Sequence, residues 1–288
     1  MSRAGEKYMK RCIQLAKCGK GNCAPNPIVG CVIVYNDRII GEGFHREYGK
    51  DHAEVYALNN VKKENKKLLK DSTLYLEPCS IHKNTPPCTE LIINSGIKNV
   101  VIGCQDPNPA IAGKGLQKLK DNGLDVTSEV LKEECEELNR RFITFHTKKR
   151  PYIILKWAQT PDGFIDKKRD KNQKGMFPIT GNSSNKLVHK WRSEEQAILT
   201  GINTVLNDNP QLTVRKVAGN NPIRIIFDPE LKISSDHSLF KEDGEVIIIN
   251  NEMTKIENNI SFIKAEKENP INTLFSVAID KGITSILI

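Results

Sequence analysis

A chain of 288 residues has room for two domains of ordinary size, and each half can bury a core without disulfide bonds. The eight cysteines are scattered, no secretory or targeting segment is evident, and no apolar run approaches the roughly 18 residues of a membrane span. We therefore expect a cytoplasmic protein with reduced cysteines, which excludes membrane proteins and disulfide-stabilised secreted domains.

The charge balance suits an anionic partner, because 43 Lys and Arg residues against 35 Asp and Glu give a net charge of +8. Many lysines lie in runs such as KKENKKLLK that lack interleaved aromatic residues, so the pattern does not favour a nucleic-acid surface. A phosphorylated small molecule would fit the charge equally well.

The chain begins with alternating helix-like and strand-like segments. Residues 6–17 have the apolar spacing of an amphipathic helix. The stretch CVIVYNDRIIGEGFH predicts a β-hairpin that turns at Asn36 and Asp37. Asp51 is a candidate N-cap for a helix that begins immediately after it, within DHAEVYAL.

The rest of the first half continues the alternation. A strand at residues 73–77 and a helix at residues 88–96 are predicted, followed by NVVIG as a strand, KGLQKLKDNG as a helix and LDVTSEV as a strand. The segment LKEECEELNRRFITFHTKK predicts one charged closing helix. Such alternation is typical of a mixed or parallel sheet covered on both faces, with its site at the strand ends.

A second α/β unit is predicted beyond the basic stretch HTKKRP at residues 146–151. Its predicted strands are YIILKWAQT, AILTG, IRIIFD, EVIIIN and TSILI, and its predicted helices are SSNKLVHKWRSEEQ and INTLFSVAIDKGI.

Four residues in the first half have the composition of a catalytic zinc site. His52, Cys79 and Cys88 offer one imidazole and two thiolates, which leaves a fourth tetrahedral position for water, and Glu54 stands beside the first ligand. The order His-x-Glu, Pro-Cys and a second Cys is the signature of zinc nucleobase deaminases, in which the Glu is not a ligand. We expect the metal where the amino ends of two helices converge, because helix amino ends favour thiolates.

Each of these residues also has a structural interpretation. Asp51 and Glu54 fit a capping box, in which the Glu only satisfies a backbone amide. A single histidine is often an ordinary one, and cysteines of intracellular proteins are often small buried hydrophobic residues. The order in which the four residues occur favours the catalytic interpretation.

With these residues in place, nearly the whole chain resembles the bifunctional deaminase-reductase family of riboflavin biosynthesis. PNPIVGCVIV, GEGFH, HAEVYAL, LEPCS, TPPCTEL and QDPNPAIAGKGL are similar to its deaminase half, whereas LKWAQTPDGFI, HKWRSEEQAILTGINTVLNDNPQLTVR and NPIRIIFD are similar to its reductase half. The resemblance implies a cytidine-deaminase-like three-layer domain at residues 1–147 and a dihydrofolate-reductase-like α/β domain at residues 148–288.

The resemblance also implies the chemistry of each half. The first would use Zn²⁺ to deaminate a diaminopyrimidinone ribosylamino phosphate, and the second would use NADPH to reduce the ribosyl group to ribityl. We expect a homo-oligomer that acts on this small phosphorylated substrate and binds neither membrane nor nucleic acid. A nucleoside or tRNA base deaminase, or a non-catalytic zinc module that binds nucleic acid, is the alternative; the second half argues against the former.

Carried over by position, the zinc ligands are His52, Cys79 and Cys88, and Glu54 is the proton shuttle. The substrate positions are Asn26, His45, Asn108, Arg192, Leu212 and Arg215. The nucleotide positions are Ala158, Thr204 and Asp208. For Asn26 and Asn108 turn chemistry remains an equal explanation, because Asn before Pro commonly forms turns.

Three departures from the family pattern affect these expectations. Residues 81–84 (Ile, His, Lys, Asn) replace a His-x-Gly-basic loop, and Met176 and Pro178 stand where many relatives have Ser and Trp. The chain reaches Ile288 where the family continues into a Glu-Gly-Gly turn. On the sequence alone we therefore expect a carboxy-terminally incomplete reductase domain with weak or no reductase activity.

Overall fold

Two units make up the chain, Met1–Lys148 and Lys149–Ile288. The computed structural model describes residues 3–77, 88–105, 113–170, 173–266 and 269–288. Within these residues no helix is both long and apolar enough to cross a membrane.

The first unit has a five-stranded mixed sheet with the strand order β2-β1-β3-β4-β5. Its strands are β1 (Gly30–Tyr35), β2 (Arg38–Phe44), β3 (Thr73–Glu77), β4 (Asn99–Ile102) and β5 (Asp125–Thr127). β1 is antiparallel to β2 and β3, and β3, β4 and β5 are parallel. Its helices are α1 (Arg3–Ala16), α2 (Ala53–Asn59), α3 (Cys88–Asn94), α4 (Lys114–Asp121), α5 (Lys132–Leu138) and α6 (Arg140–Lys148).

The hairpin of β1 and β2 turns where the sequence predicts it. Asn36 and Asp37 both have positive φ angles, 45° and 57°. Two successive residues in this region form the turn that matches the right-handed twist of a hairpin, and Asn and Asp tolerate it best after Gly.

Side chains that alternate along the strands build a core on each face of this sheet. Cys31 and Ile33 of β1 belong to the cluster that includes Ala53 of α2, whereas Val32 belongs to the cluster that includes Met9 of α1. Successive residues of a strand point to opposite faces. The result is the expected three-layer arrangement of helices, sheet and helices.

The structure corrects two helix boundaries. α2 begins at Ala53 and its N-cap is His52, not Asp51. The predicted closing helix is two helices, because the backbone of Asn139 (φ −101°, ψ 20°) departs from helical geometry between α5 and α6. The side chain of Asn139 bonds to distant parts of the unit, which the local sequence cannot indicate.

The second unit has a seven-stranded sheet with the strand order β10-β11-β9-β8-β7-β12-β6. Its strands are β6 (Tyr152–Ile154), β7 (Ala197–Gly201), β8 (Ile223–Phe227), β9 (Val246–Asn250), β10 (Lys255–Glu257), β11 (Ile260–Lys264) and β12 (Ser285–Leu287). Only the β10–β11 pair is antiparallel. Its helices are α7 (Asn182–Glu194), α8 (Ile202–Asp208) and α9 (Pro270–Asp280).

The central strands of this sheet are apolar on both faces. In β9, Ile247 packs with the α9 residue Leu274, whereas Ile248 packs with the α8 residue Val205. A nearly continuous run of apolar residues is typical of a parallel strand covered on both sides. β6 ends at Ile154, earlier than the predicted strand.

Helix α8 and strands β10 and β11 were not predicted. α8 has seven residues of which only Val205 is buried, so no apolar period is visible. β10 is exposed along its whole length.

Arg224 of β8 is a fully buried cation that binds the loop at residues 239–244. Its guanidinium donates hydrogen bonds to the carbonyl oxygens of Leu239, Glu242, Asp243 and Gly244 at 2.7–3.0 Å. A buried charge is tolerated only when such bonds replace its hydration. Arg224 therefore holds residues 239–244 through their backbone.

Candidate active site

The amino ends of α2 and α3 bring three predicted site residues together. His52 precedes the first residue of α2, and Cys88 is the first residue of α3. His52 Nδ1 lies 3.1 Å from Cys88 Sγ. One ligand atom from each of His52, Glu54 and Cys88 lies within 4.8 Å of the others.

Burial shifts the pKa values of His52 and Glu54 in opposite directions. Glu54 is 2% exposed, and burial raises the pKa of its carboxyl above the usual value. Burial, followed by the neighbouring His45, lowers the pKa of His52 and favours the neutral imidazole that a metal requires. Because His52 is the N-cap, Glu54 is the second helical residue and not the third, which a capping box would need.

These donors fit a zinc ion. An imidazole and a thiol at helix amino ends are ligands that zinc prefers. The Oε2 atom of Glu54 is buried and accepts no hydrogen bond from the described residues. A buried carboxylate oxygen without a partner is costly in a site that holds only protein, so this atom indicates a missing group.

Two predicted substrate residues adjoin this cluster. The rings of His45 and His52 meet edge to face, with centroids 5.2 Å apart. His45 Nδ1 lies 3.0 Å from the carbonyl oxygen of Asp51, and His45 Nε2 lies 3.5 Å from Asn26 Nδ2. The bond to a carbonyl places the proton on Nδ1, so Nε2 is the acceptor that faces Asn26.

The predicted substrate residues of the second unit converge on Thr213. Arg192 donates to the carbonyl oxygen of Thr213 at 2.6 Å, and Arg215 donates to its hydroxyl at 2.8 Å. Leu212, which precedes Thr213, is buried in a left-handed conformation (φ 59°). Burial and then the neighbouring Arg215 lower the pKa of Arg192 to about 10. Both guanidinium groups therefore contact Thr213.

The predicted nucleotide residues lie at one edge of the second sheet. Thr204 and Asp208 are one turn apart on α8, which begins directly after the carboxyl end of β7. Ala158 follows the carboxyl end of β6. Both strands are parallel to β12, so their carboxyl ends share an edge, where open α/β sheets bind ligands.

Comparison with known proteins identifies both units. Residues 2–104 match the cytidine and deoxycytidylate deaminase zinc-binding region, and residues 151–288 match the RibD C-terminal domain. Riboflavin biosynthesis protein RibD of Aquifex aeolicus is 46% identical over 266 residues, which are 91% of this chain and 70% of that protein. The chain belongs to the RibD family. Its cofactors are those of the family's two halves, zinc and NADPH.

Other RibD proteins show the same extent of similarity. RibD of Escherichia coli K12 is 38% identical over 83% of this chain and 67% of its own length. The crystal structure of a diaminohydroxyphosphoribosylaminopyrimidine deaminase/5-amino-6-(5-phosphoribosylamino)uracil reductase from Thermotoga maritima has a TM-score of 0.87 and 41% identity. It covers 99% of this chain, which spans 80% of that chain.

Two of the residues assigned from the resemblance to the family, and one loop that departs from its pattern, cannot be compared with the structure. Cys79, Asn108 and the loop at residues 81–84 lie outside the described residues. Their roles remain predictions.

The sequence did not indicate Glu77 and Asn139, although both are buried in the first unit. Asn139 donates to Glu77 Oε1 at 3.2 Å, and Glu77 is the last residue of β3. Burial raises the pKa of Glu77 to about 8. The available signals were weak: a carboxylate that ends an apolar strand, and an Asn within a helix-like pattern.

Proposed function

We propose that this chain catalyses two successive steps of riboflavin biosynthesis. Residues 1–147 would hydrolytically deaminate 2,5-diamino-6-ribosylamino-4(3H)-pyrimidinone 5′-phosphate, and residues 148–288 would reduce the ribosyl group of the product to ribityl with NADPH. The observation that carries the first step is the convergence of His52, Glu54 and Cys88 beside His45. Family membership supports the second.

In the deamination, we assign His52, Cys79 and Cys88 to zinc and Glu54 to proton transfer. Bound zinc supplies a water acidic enough to provide hydroxide at neutral pH. Glu54 would accept a proton from water and donate it to a ring nitrogen while hydroxide adds to the amino-bearing carbon. It would then accept the proton of the new hydroxyl group and donate it to the amino group, which leaves as ammonia while the carbonyl forms, so one carboxylate acts first as base and then as acid.

His45 and Asn26 would orient the pyrimidine. The carbonyl oxygen of Asp51 fixes His45 with Nε2 as the acceptor, next to the amide of Asn26. A neutral imidazole with a fixed tautomer can accept a hydrogen bond from a donor group on the edge of the pyrimidine ring. Burial lowers the pKa of His45, which keeps this state at neutral pH. Asn108 would complete this set.

In the reduction, Arg192 and Arg215 would bind the substrate phosphate, with Leu212 beside them. A guanidinium group offers a planar fork of N–H donors that can bind two phosphate oxygens. The phosphate charge would offset the burial and the repulsion by Arg215 that lower the pKa of Arg192. Ala158, Thr204 and Asp208 would hold NADPH, which supplies the hydride while the protein orients both reactants.

The decisive experiment is incubation of the purified protein with the diaminopyrimidinone phosphate, with and without NADPH. We expect ammonia release without NADPH. In contrast to the weak reductase activity expected from the sequence alone, we also expect NADPH oxidation once the deaminated product has formed, because residues 151–288 match the RibD C-terminal domain. Metal analysis should find one zinc per chain. A protein that binds zinc and releases no ammonia would support the alternative, a non-catalytic zinc module.

Two further features belong to the same proposal. We place the enzyme in the cytoplasm, because its small-molecule substrate and reduced cysteines suit that compartment. We also propose a homo-oligomer, which sedimentation of the purified chain would test.

A further inference from the structure

The side-chain amide of Asn139 connects two segments that are far from it in sequence. Its Oδ1 accepts the backbone N–H of Ile28 at 3.0 Å, and its Nδ2 donates to the carbonyl oxygen of Ile28 at 3.0 Å. The same Nδ2 donates to Glu77 Oε1 at 3.2 Å. Asn139 is 4% exposed and Glu77 is fully buried, so water does not replace these bonds readily.

These bonds lie at the end of the β1–β3 ladder. Gly30 and Glu77 are the end pair of the β1–β3 ladder, and Ile28 precedes Gly30 by two residues. The amide of Asn139 offers Ile28 one donor and one acceptor, as the backbone of a neighbouring strand would. The amide therefore extends the hydrogen-bonded ladder beyond the Gly30–Glu77 pair. It restrains β1 at its start, through Ile28, and β3 at its end, through Glu77.

The segment at Ile28 leads directly to predicted site residues. Asn26 lies two residues before Ile28 and contacts His45, whose own backbone N–H donates to the carbonyl of Val29 at 2.9 Å. The ring of His45 in turn meets that of the predicted zinc ligand His52. A single side chain thus restrains the segment that carries the predicted substrate residues beside His52.

We propose that Asn139 is a positioning residue of the deaminase site, which sets Asn26 and His45, and through His45 the predicted zinc ligand His52, by its bonds to Ile28. This inference rests on the proposed deamination. Asn139 lies outside the residues 2–104 that match the zinc-binding region, so α5 and α6 would contribute to the site through it. Without the amide, the partly buried N–H and C=O of Ile28 lose these partners and this segment must rearrange.

Asn139→Leu tests the proposal, because leucine has a similar volume and no amide. We expect the KM for the diaminopyrimidinone phosphate to rise and the zinc affinity to fall by about 10-fold each, as for other residues that orient ligands indirectly. Hydrogen exchange at the Ile28 amide should become faster. Asn139→Ser, which is too short to reach Ile28 and Glu77, serves as a second variant if the leucine does not fold.

Two controls separate positioning from general stability. Leu119→Ala removes a fully buried side chain of the same unit without touching the amide. Asn250→Leu removes a buried amide that holds the backbone N–H groups of Glu252 and Met253 in the second unit.

The proposal is wrong if the Asn139 variants keep wild-type KM and zinc affinity, or if Leu119→Ala changes both to the same extent. A wild-type protein that releases no ammonia would overturn the proposed function instead. Zinc affinity and the exchange of the Ile28 amide can be measured in that protein too, so they would still decide whether Asn139 positions the site.

Discussion

The burial of Glu54 suits the proton transfer that we propose for it. Its side chain is 2% exposed and its Oε2 atom accepts no hydrogen bond from the described residues. Burial raises its pKa, so the group takes up a proton more readily than an exposed carboxylate. This is the behaviour required of a group that accepts and then returns a proton.

We predict that Glu54→Gln lowers the rate of ammonia release by on the order of 100-fold or more and leaves the bound zinc in place. Gln fills the same volume but cannot carry the proton. Loss of a helix-capping interaction would cost only about 0.5–2 kcal/mol of stability and little activity. Ammonia release and metal content should be measured together. Glu64→Gln, at an exposed position, is the matched control.

His189 is a second residue whose charge state the fold controls. It is 5% exposed, and its Nδ1 accepts the backbone N–H of Arg215 at 3.1 Å. Burial, followed by the charges of Arg192, Arg215 and Lys216, lowers its pKa to about 4. The ring is therefore neutral at pH 7 and can accept that bond.

We predict that the second unit loses stability as the pH falls from about 6.5 to 4. The unfolded chain, with a His pKa near 6.5, binds more protons in this range than the folded chain, so stability is present above the unfolded value and is lost as the pH drops through the folded value. The loss should be up to about 3 kcal/mol. Unfolding of wild type and His189→Gln across this range measures it. An NMR titration of His189 near 6.5 would contradict the prediction.

Among the elements, those with a local pattern could be predicted and those fixed by distant contacts could not. The β1–β2 hairpin follows from alternating apolar residues and an Asn-Asp turn, and β3 from TLYLE. The short helix α8 buries one residue, so it has no readable period. The break between α5 and α6 lies at Asn139, whose side chain bonds to Ile28, and no nearby residue indicates this contact.

The residues of the candidate site also fall into those that the sequence indicates and those that only the folded structure reveals. His52, Glu54 and Cys88 were found because their chemistry is specific and their order in the chain is unusual, and the structure brings them within reach of one ion. Asn139 was not found because an asparagine in a helix-like segment carries no such signature. Its role depends on a position that only the folded sheet creates.

We predict that Arg224→Met destabilises the second unit by about 3 kcal/mol. The substitution removes a fully buried cation that donates to four backbone carbonyl groups, of which the bond to Leu239 is buried and the other three are partly buried, and unpaired buried acceptors are costly. Chemical unfolding monitored on this unit is the measurement. Lys232→Met provides the control, because its ion pair with Glu230 is exposed and should contribute less than about 1 kcal/mol. Equal stability of the two variants would contradict the prediction.

At the scale of the molecule, each unit has its own sheet, its own core clusters and its own set of predicted site residues. The zinc residues all belong to the first unit, and the substrate and nucleotide residues of the reduction all belong to the second. A single substitution should therefore be able to abolish deamination or reduction without affecting the other activity.

We predict that Glu54→Gln leaves NADPH oxidation within about twofold of wild type when the deaminated intermediate is supplied directly. Arg192→Ala should do the reverse, with normal ammonia release and at least about tenfold slower NADPH oxidation, because it removes a cation from the phosphate site. Both rates should be measured on each variant. If either substitution abolishes both activities, the two sites do not act separately.

The sheet of the second unit also determines the order in which its parts can assemble on the ribosome. Among the described strands β6 pairs only with β12, and Tyr152 is opposite Ser285, nearly half the chain later. Translation proceeds from the amino end at about 5–20 residues per second, so β6 emerges several seconds before its partner exists. During that interval β6 lacks its partner strand. It is therefore open to binding by chaperones that recognise unpaired strands on nascent chains.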